Sequence, residues 1–160
     1  MKRKTYLSAT LALFAGAFFF AVATHAGSPG DDDGAAWMTD FDAAKTKAAS
    51  EDKPMLVDFT GSDWCGWCIK LDKEVFSKKE FKDYAEENLV LVEIDFPRGK
   101  EQSAELKAQN QALAQKYGVR GFPTILMLDA DGEVIEKTGY RRGGAEKYVE
   151  HLKGLLAGKD

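Results

Sequence analysis

Gly61-Ser62-Asp63-Trp64-Cys65-Gly66-Trp67-Cys68 decides the reading of this chain, because small loop-forming residues run directly into two cysteines three positions apart. Beyond them Ile69, Leu71, Val75 and Phe76 continue at helical spacing, so the cysteines sit where a helix begins. Upstream, Pro54 ends one pattern, and Met55 to Phe59 is a short apolar run of the kind buried on both faces of a sheet, interrupted by Asp58. A strand, a loop and a cysteine-led helix therefore follow one another. A thiolate at such a position gains from unpaired backbone donors and the positive end of the helix dipole. Cys65 occupies that place, and Cys68, one turn on, is placed to attack any mixed disulfide that Cys65 forms.

Outward from this stretch the same punctuation recurs. Thr39 with Asp42 reads as an acidic capping box, followed by Phe41, Ala44 and Ala48 on one face of a helix ending near Glu51. Ser77 with Glu80 signals a second cap for a short helix to about Glu87, and Leu89 to Phe96 reads as a strand ended by Pro97 and Gly99. Lys100 to Tyr117 is polar, with Leu106, Leu113 and Tyr117 on an approximate stripe, which predicts a solvated surface helix stopped by Gly118. Thr124 to Leu128 and Glu133 to Lys137 flank Asp129-Ala130-Asp131-Gly132, a hairpin signal, and Ala145 to Leu156 closes as an amphipathic helix carrying His151 on its surface. Helices, parallel crossovers and one antiparallel pair together predict an α/β fold with a mixed central sheet.

At the start of the chain Met1 to Lys4 is basic and Leu7 to Val22 is apolar and uncharged, with small residues at cleavage spacing after it. Residues 1–26 are thus expected to be a secretory signal peptide, with an uncleaved anchor as the alternative. Glycine-rich, acidic residues 27–36 are expected to be a flexible linker, and 37–160 a single domain. Loss of Lys2, Arg3 and Lys4 takes Lys plus Arg from 22 to 19 against 26 Asp plus Glu, and the formal charge from −4 to −7. Such a surface argues against nucleic-acid binding.

Export leads to a compartment that permits disulfides, yet the chain has only 2 cysteines, too close together to staple distant segments. Closing so short a loop restricts the unfolded chain little, so reactivity accounts for the pair better than stability does. Half a zinc site has the same spacing. The other half is missing: no second cysteine pair exists, and only His151 lies beyond the expected cleavage point, so no metal is expected.

Val57-Asp58-Phe59, Trp64-Cys65-Gly66-Trp67-Cys68 and Tyr117-Gly118-Val119-Arg120-Gly121-Phe122-Pro123-Thr124 resemble the thioredoxin family in order and approximate spacing. The resemblance runs from about Phe41 to Leu156. Within the family it is nearest to small exported thioredoxin-like proteins and to the periplasmic thioredoxin-like domain of the disulfide interchange protein DsbD. It implies a thioredoxin fold, with a cis bond before Pro123, Phe122 free to pair with an extended substrate, and Asp58 as a buried acid of raised pKa that manages the proton of Cys68. Trp64 matches the tryptophan before the first cysteine, where shielding of the thiolate and plain packing are both open.

Three departures from the family pattern matter. One extra residue separates Asp58 from Cys65; Gly66-Trp67 replaces the usual Gly-Pro between the cysteines; and Leu91 stands where alignment on Ile94-Asp95 would put the lysine that neighbours the acid. The expectation is a monomeric, periplasmic or secreted thiol-disulfide oxidoreductase without a dissociable cofactor. Cys65, Cys68 and Asp58 would be catalytic, and Trp64, Gly66, Trp67, Phe122 and Pro123 would contact substrate. Protein thiols or disulfides of the cell envelope are the expected partners, with a membrane redox partner regenerating the site. Reduction is favoured over oxidation or isomerisation, and a non-catalytic chaperone or binding module of the same fold stands as the alternative of another class.

Overall fold

The computed structural model describes residues 35–158, and the expected signal peptide lies outside them. Five α-helices and four strands follow in the order α1 (Phe41–Glu51), β1 (Met55–Thr60), α2 (Gly66–Leu71), a π-helical turn (Asp72–Phe76), α3 (Lys79–Asn88), β2 (Val90–Asp95), α4 (Ala104–Lys116), β3 (Thr124–Leu128), β4 (Val134–Thr138) and α5 (Gly144–Ala157). The sheet order is β2-β1-β3-β4. β1 pairs parallel with β2 and antiparallel with β3, which forms the hairpin with β4. This is the mixed sheet that the sequence predicts.

β1 is buried at every position because helices cover both of its faces. Met55, Val57 and Phe59 point with Val92, Ile94 and Leu126 toward α1 and α4. Leu56 points with Leu91, Ile125 and Met127 the other way, toward α3, α5 and the π turn. Since side chains alternate along a strand, Asp58 shares the face of Leu56 and lies beneath the helices that follow the cysteines. The outer strand β4 is mostly exposed. Met38 covers the free side of β2, donating its N–H to Leu91 O at 2.9 Å and accepting from Glu93 N at 2.9 Å. Of the expected linker only Ala35 and Ala36 are described, and Ala35 packs half-buried against the core.

Four local expectations shift. The cap of α1 is Asp40, whose Oδ1 accepts from Ala43 N at 2.9 Å, not Thr39; the Thr39 carbonyl instead accepts from Gln109 Nε2 at 2.9 Å. Lys78 rather than Ser77 precedes α3, because the Ser77 hydroxyl is turned back to Lys73 O. α4 begins only after Ser103, and it is pinned rather than free: Asn110 is buried and donates to Asp95 O at 2.8 Å, while Gln109 Oε1 accepts from Phe41 N. His151 is half-buried, its Nε2 2.9 Å from Thr138 Oγ1, and burial lowers its pKa. The hairpin turn forms as expected, with Gly132 at φ +84° and Asp129 Oδ1 accepting from Asp131 N and Glu133 N.

Candidate active site

Cys65 ends the loop after β1 and caps α2, so its backbone is extended while the helix starts at the next residue. Its Sγ accepts the Cys68 N–H at 3.3 Å and is joined to Cys68 in a disulfide, with the two Cα atoms 5.2 Å apart. Both cysteines are buried, at 7 % and 4 % exposed, while Gly66 and Trp67 between them face outward. A Cβ at Gly66 would meet nothing, so the approach over the disulfide is open on that side.

The helix departs from its expected stripe. Cys68, Leu71, Val75 and Phe76 face the core, whereas Ile69 is 45 % exposed, adding apolar surface beside the disulfide. Ile69 lies on the opposite side of α2 from Leu71; a π-helical turn follows at Asp72–Phe76, where Val75 and Phe76 are buried and Asp72 lines the space behind Cys68.

Behind Cys68 lies a cavity of about 330 Å³ lined by Asp58, Thr60, Asp72, Glu93, Lys100 and the apolar edges of Trp37 and Phe76. Asp58 is 7 % exposed and its Oδ1 has no hydrogen-bond partner. Its pKa is raised well above the usual carboxylate range, first by burial and then by the negative charges of Glu93, Asp72 and Asp95. The sheet register sets Glu93 directly beside Asp58 and pairs Leu91 with Leu56. The side chain flanking the acid is therefore a second acid, and Glu93 is also raised, by burial foremost. Lys100, from the loop after β2, brings a cation to the same cavity, its Nζ 3.4 Å from Ser62 Oγ. Sequence reading sought the lysine on the strand and missed both groups.

The loop before Cys65 is tied to the end of β2. Asp95 accepts from Ser62 N and Oγ at 2.9 and 2.6 Å, and Asp63 accepts from Arg98 N and Gly99 N, contacts that hold its carboxyl below the usual range. Trp64 lies flat over Gly61, where a Cβ would come within 2.6 Å of the indole, and donates from Nε1 to Phe96 O at 2.7 Å. Its ring meets Phe122 edge-on at 6.0 Å, and Phe122 in turn stacks on Phe96 at 5.1 Å. The Phe122–Pro123 bond is cis, as the resemblance implies. Packing of Trp64 and its position beside the disulfide are thus both realised. Among the described residues no cluster of three or more His, Cys, Asp or Glu is placed to hold a metal.

The thioredoxin-like domain family matches residues 41–153, most of the described chain. The chain belongs to this family. It is 41% identical over 104 residues to the disulfide bond reductase DsbH of Chlamydia pneumoniae, a match covering 65% of this chain and 63% of that protein. The thiol:disulfide interchange protein DsbD of Pseudoalteromonas atlantica is 29% identical over 122 residues, 74% of this chain but only 19% of DsbD. Thus the chain spans less than two thirds of the length of either relative. A solved DsbH oxidoreductase superposes with a TM-score of 0.74 at 36% identity, covering 78% of this chain and 85% of that one.

Proposed function

We propose that this protein is an exported thiol-disulfide oxidoreductase that reduces disulfides of protein substrates in the cell envelope. The observation that carries the proposal is the pairing of a helix-capping Cys65 with a Cys68 that backs onto a cavity holding an unpartnered, buried acid. In the reduced protein the Cys65 thiolate attacks one sulfur of a substrate disulfide. The Cys65–S–S–substrate bond forms, the substrate S–S bond breaks, and the other substrate sulfur leaves as a thiolate. Cys68, losing its proton to Asp58, then attacks Sγ of Cys65. The Cys65–Cys68 bond forms, the substrate leaves as a second thiolate, and two electrons have passed from protein to substrate.

Trp64, Gly66, Trp67, Phe122 and Pro123 form the surface over which a substrate segment lies, and the backbone at Phe122 is offered for pairing. The similarity to a protein named as a disulfide bond reductase favours reduction. A basic, apolar N-terminus supports export to the periplasm, and among the described residues no helix is long and apolar enough to cross a membrane. A dithiol spent on each substrate has to be restored, which calls for a membrane-borne electron donor. We further propose that the protein acts as a monomer.

Insulin reduction by the purified protein with dithiothreitol as electron source tests the reading. Catalysis is expected with wild type and absent with Cys65→Ala; equal suppression of aggregation by both proteins would instead identify a holding module. The reduction potential assigns direction: a value near about −270 mV marks a reductant, one near about −120 mV an oxidant.

A further inference from the structure

The surface around Cys65 closes on itself through residues that sequence reading did not connect. Trp64 touches Phe122, and the carbonyl of the next residue, Pro123, lies 3.2 Å from where a Cβ would stand on Gly139. Tyr140 then reaches back to Trp67, ring centroids 5.2 Å apart. The loop after β4 is held in this place from below, where Tyr148 Oη donates to Gly139 O at 3.2 Å, and from the side, where Tyr140 Oη donates to Glu74 Oε2 at 2.7 Å. A collar of aromatic rings thus runs round the active-site pair.

Cations stand on this collar. The Arg98 guanidinium lies 3.8 Å from the Trp64 ring centroid, and Lys70 Nζ lies 5.3 and 5.4 Å from those of Trp67 and Tyr140. Arg141 and Arg142 follow Tyr140, Arg120 precedes Phe122 by two residues, and all three are exposed. The acids of the same rim are engaged: Asp63 by the Arg98 and Gly99 amides, Glu74 by Tyr140 and, at 3.7 Å, by Lys70. Asp58, Glu93 and Asp72 line the cavity behind Cys68. In a chain of net charge −4, Arg98 and Lys70 thus stand on the rings beside the reactive pair, and exposed Arg120, Arg141 and Arg142 follow or precede collar residues along the chain.

We infer that this collar selects its protein partners: extended segments in which the reactive cysteine is flanked by acidic residues and by a bulky apolar side chain that rests on Trp67 and Tyr140. The inference rests on the exchange reading above and adds the substrate class. Opposite charges at such a rim speed encounter roughly tenfold or more at low ionic strength, and salt removes the effect.

The test uses disulfide-linked dimers of two peptides that differ only in carrying Asp or Lys on both sides of the cysteine. Their reduction by pre-reduced protein is followed under single-turnover conditions, with the small neutral 2-hydroxyethyl disulfide as a third substrate. The readout is the ratio of rates, acidic over basic peptide, within each protein, so a general loss of activity cancels. Wild type is expected to show a ratio of roughly ten at low salt, falling toward one in about 1 M salt, where the screening length is about 3 Å. Arg98→Glu combined with Arg141→Glu and Arg142→Glu is expected to bring the ratio to one or below. In Tyr140→Ala the preference for a phenylalanine over an alanine beside the peptide cysteine is expected to shrink.

A wild-type ratio of one with normal reduction of the neutral disulfide overturns the charge selection alone, as does a ratio that ignores salt or the arginine variant. An unchanged aromatic preference in Tyr140→Ala overturns the apolar half. Failure to reduce the neutral disulfide overturns the exchange reading itself.

Discussion

Replacing Asp58 by Asn should remove a pH-dependent loss of stability that the wild-type protein carries in its core. Burial and the neighbouring charges of Glu93, Asp72 and Asp95 hold the folded-state pKa of Asp58 well above its unfolded value of 3.8. The folded state therefore binds a proton that the unfolded chain releases. The stability associated with that proton is fully present below pH 3.8 and is lost as pH rises from there toward the folded-state pKa, after which the curve is flat. Within the window one fully coupled group gives a slope of about 1.4 kcal/mol per pH unit.

Glu93 is raised as well and stands beside Asp58 in the register, so the two titrate as a pair and the wild-type slope exceeds that of either acid alone. Asn keeps the shape and removes the charge. Urea unfolding of the oxidised protein at unit pH steps from 4 to 8 is the assay, because the cysteines do not titrate while joined. Wild type should weaken as pH rises from 4 until the folded-state pKa is passed, and within that window Asp58→Asn should lose about 1 kcal/mol per pH unit of the slope and be the more stable protein above it. In the reduced protein the same variant should slow the resolving step about a hundredfold, as removal of a general base does. Parallel stability curves for the two proteins would refute the buried-acid argument, and unchanged resolving kinetics would refute its part in the mechanism.

Other outcomes follow from single contacts. Cys68→Ser should arrest the protein as a Cys65–substrate mixed disulfide, visible by mass spectrometry as an adduct that dithiothreitol releases. Gly61→Ala should displace the Trp64 indole, break its bond to Phe96 O, shift the tryptophan emission and cost about 1–3 kcal/mol in chemical denaturation. Asn110→Ala should cost only about 1–2 kcal/mol, since Asp95 O retains Gln102 Nε2 at 3.2 Å, and should loosen α4 as read by amide exchange. Glu93→Gln should bring the pKa of Asp58 down by removing the charge beside it, shifting the pH profile of the resolving step to lower pH.

Elements bounded by local chemistry are legible in the residues alone. Pro54, Gly118 and Asp131-Gly132 stop or turn the chain by their own backbone restrictions, and β1, β3, α4 and α5 begin and end within a few residues of where these signals place them. Cys65 and Cys68 are legible for the same reason, because their neighbours alone set the start of α2. What is not legible depends on register across distance. Whether Leu91 or Glu93 flanks Asp58 is decided by how β2 slides along β1, which no residue near either position announces. Gln109 and Asn110 read as parts of a solvated face, and only the approach of Asp95 and Phe41 turns them into ties. The π turn hides similarly: Leu71, Val75 and Phe76 stay buried and close to helical spacing, so nothing local marks the inserted residue. Tyr140, a loop residue with no motif around it, acquires meaning from Trp67, which lies in a different part of the chain.

The two faces of the sheet are unequal, and on the exchange reading proposed above the inequality bears on the order in which the cysteines act. On the α1 and α4 side, Met55, Val57 and Phe59 sit in a buried apolar cluster with Val92, Ile94 and Leu126. On the other side the apolar packing of Leu56 gives way, toward the end of β1, to Asp58, Thr60 and the neighbouring Glu93, directly behind Cys68. Burial raises the pKa of Asp58 and Glu93 there, and neighbouring carboxylates raise both further, so negative charge is disfavoured in that cavity. Opening the disulfide creates one such charge. At Cys65 it gains the Cys68 N–H and the start of the helix, with Arg98 held over the adjacent indole; at Cys68 it would face the acids. On the exchange reading proposed above, Cys65, whose Sγ lies at the helix start, is therefore the attacking sulfur, and Cys68, beside the acids, is the resolving one. On that reading the buried, unpartnered Asp58 takes up the Cys68 proton only as the resolving step begins, which is the step that the Asp58→Asn kinetics probe.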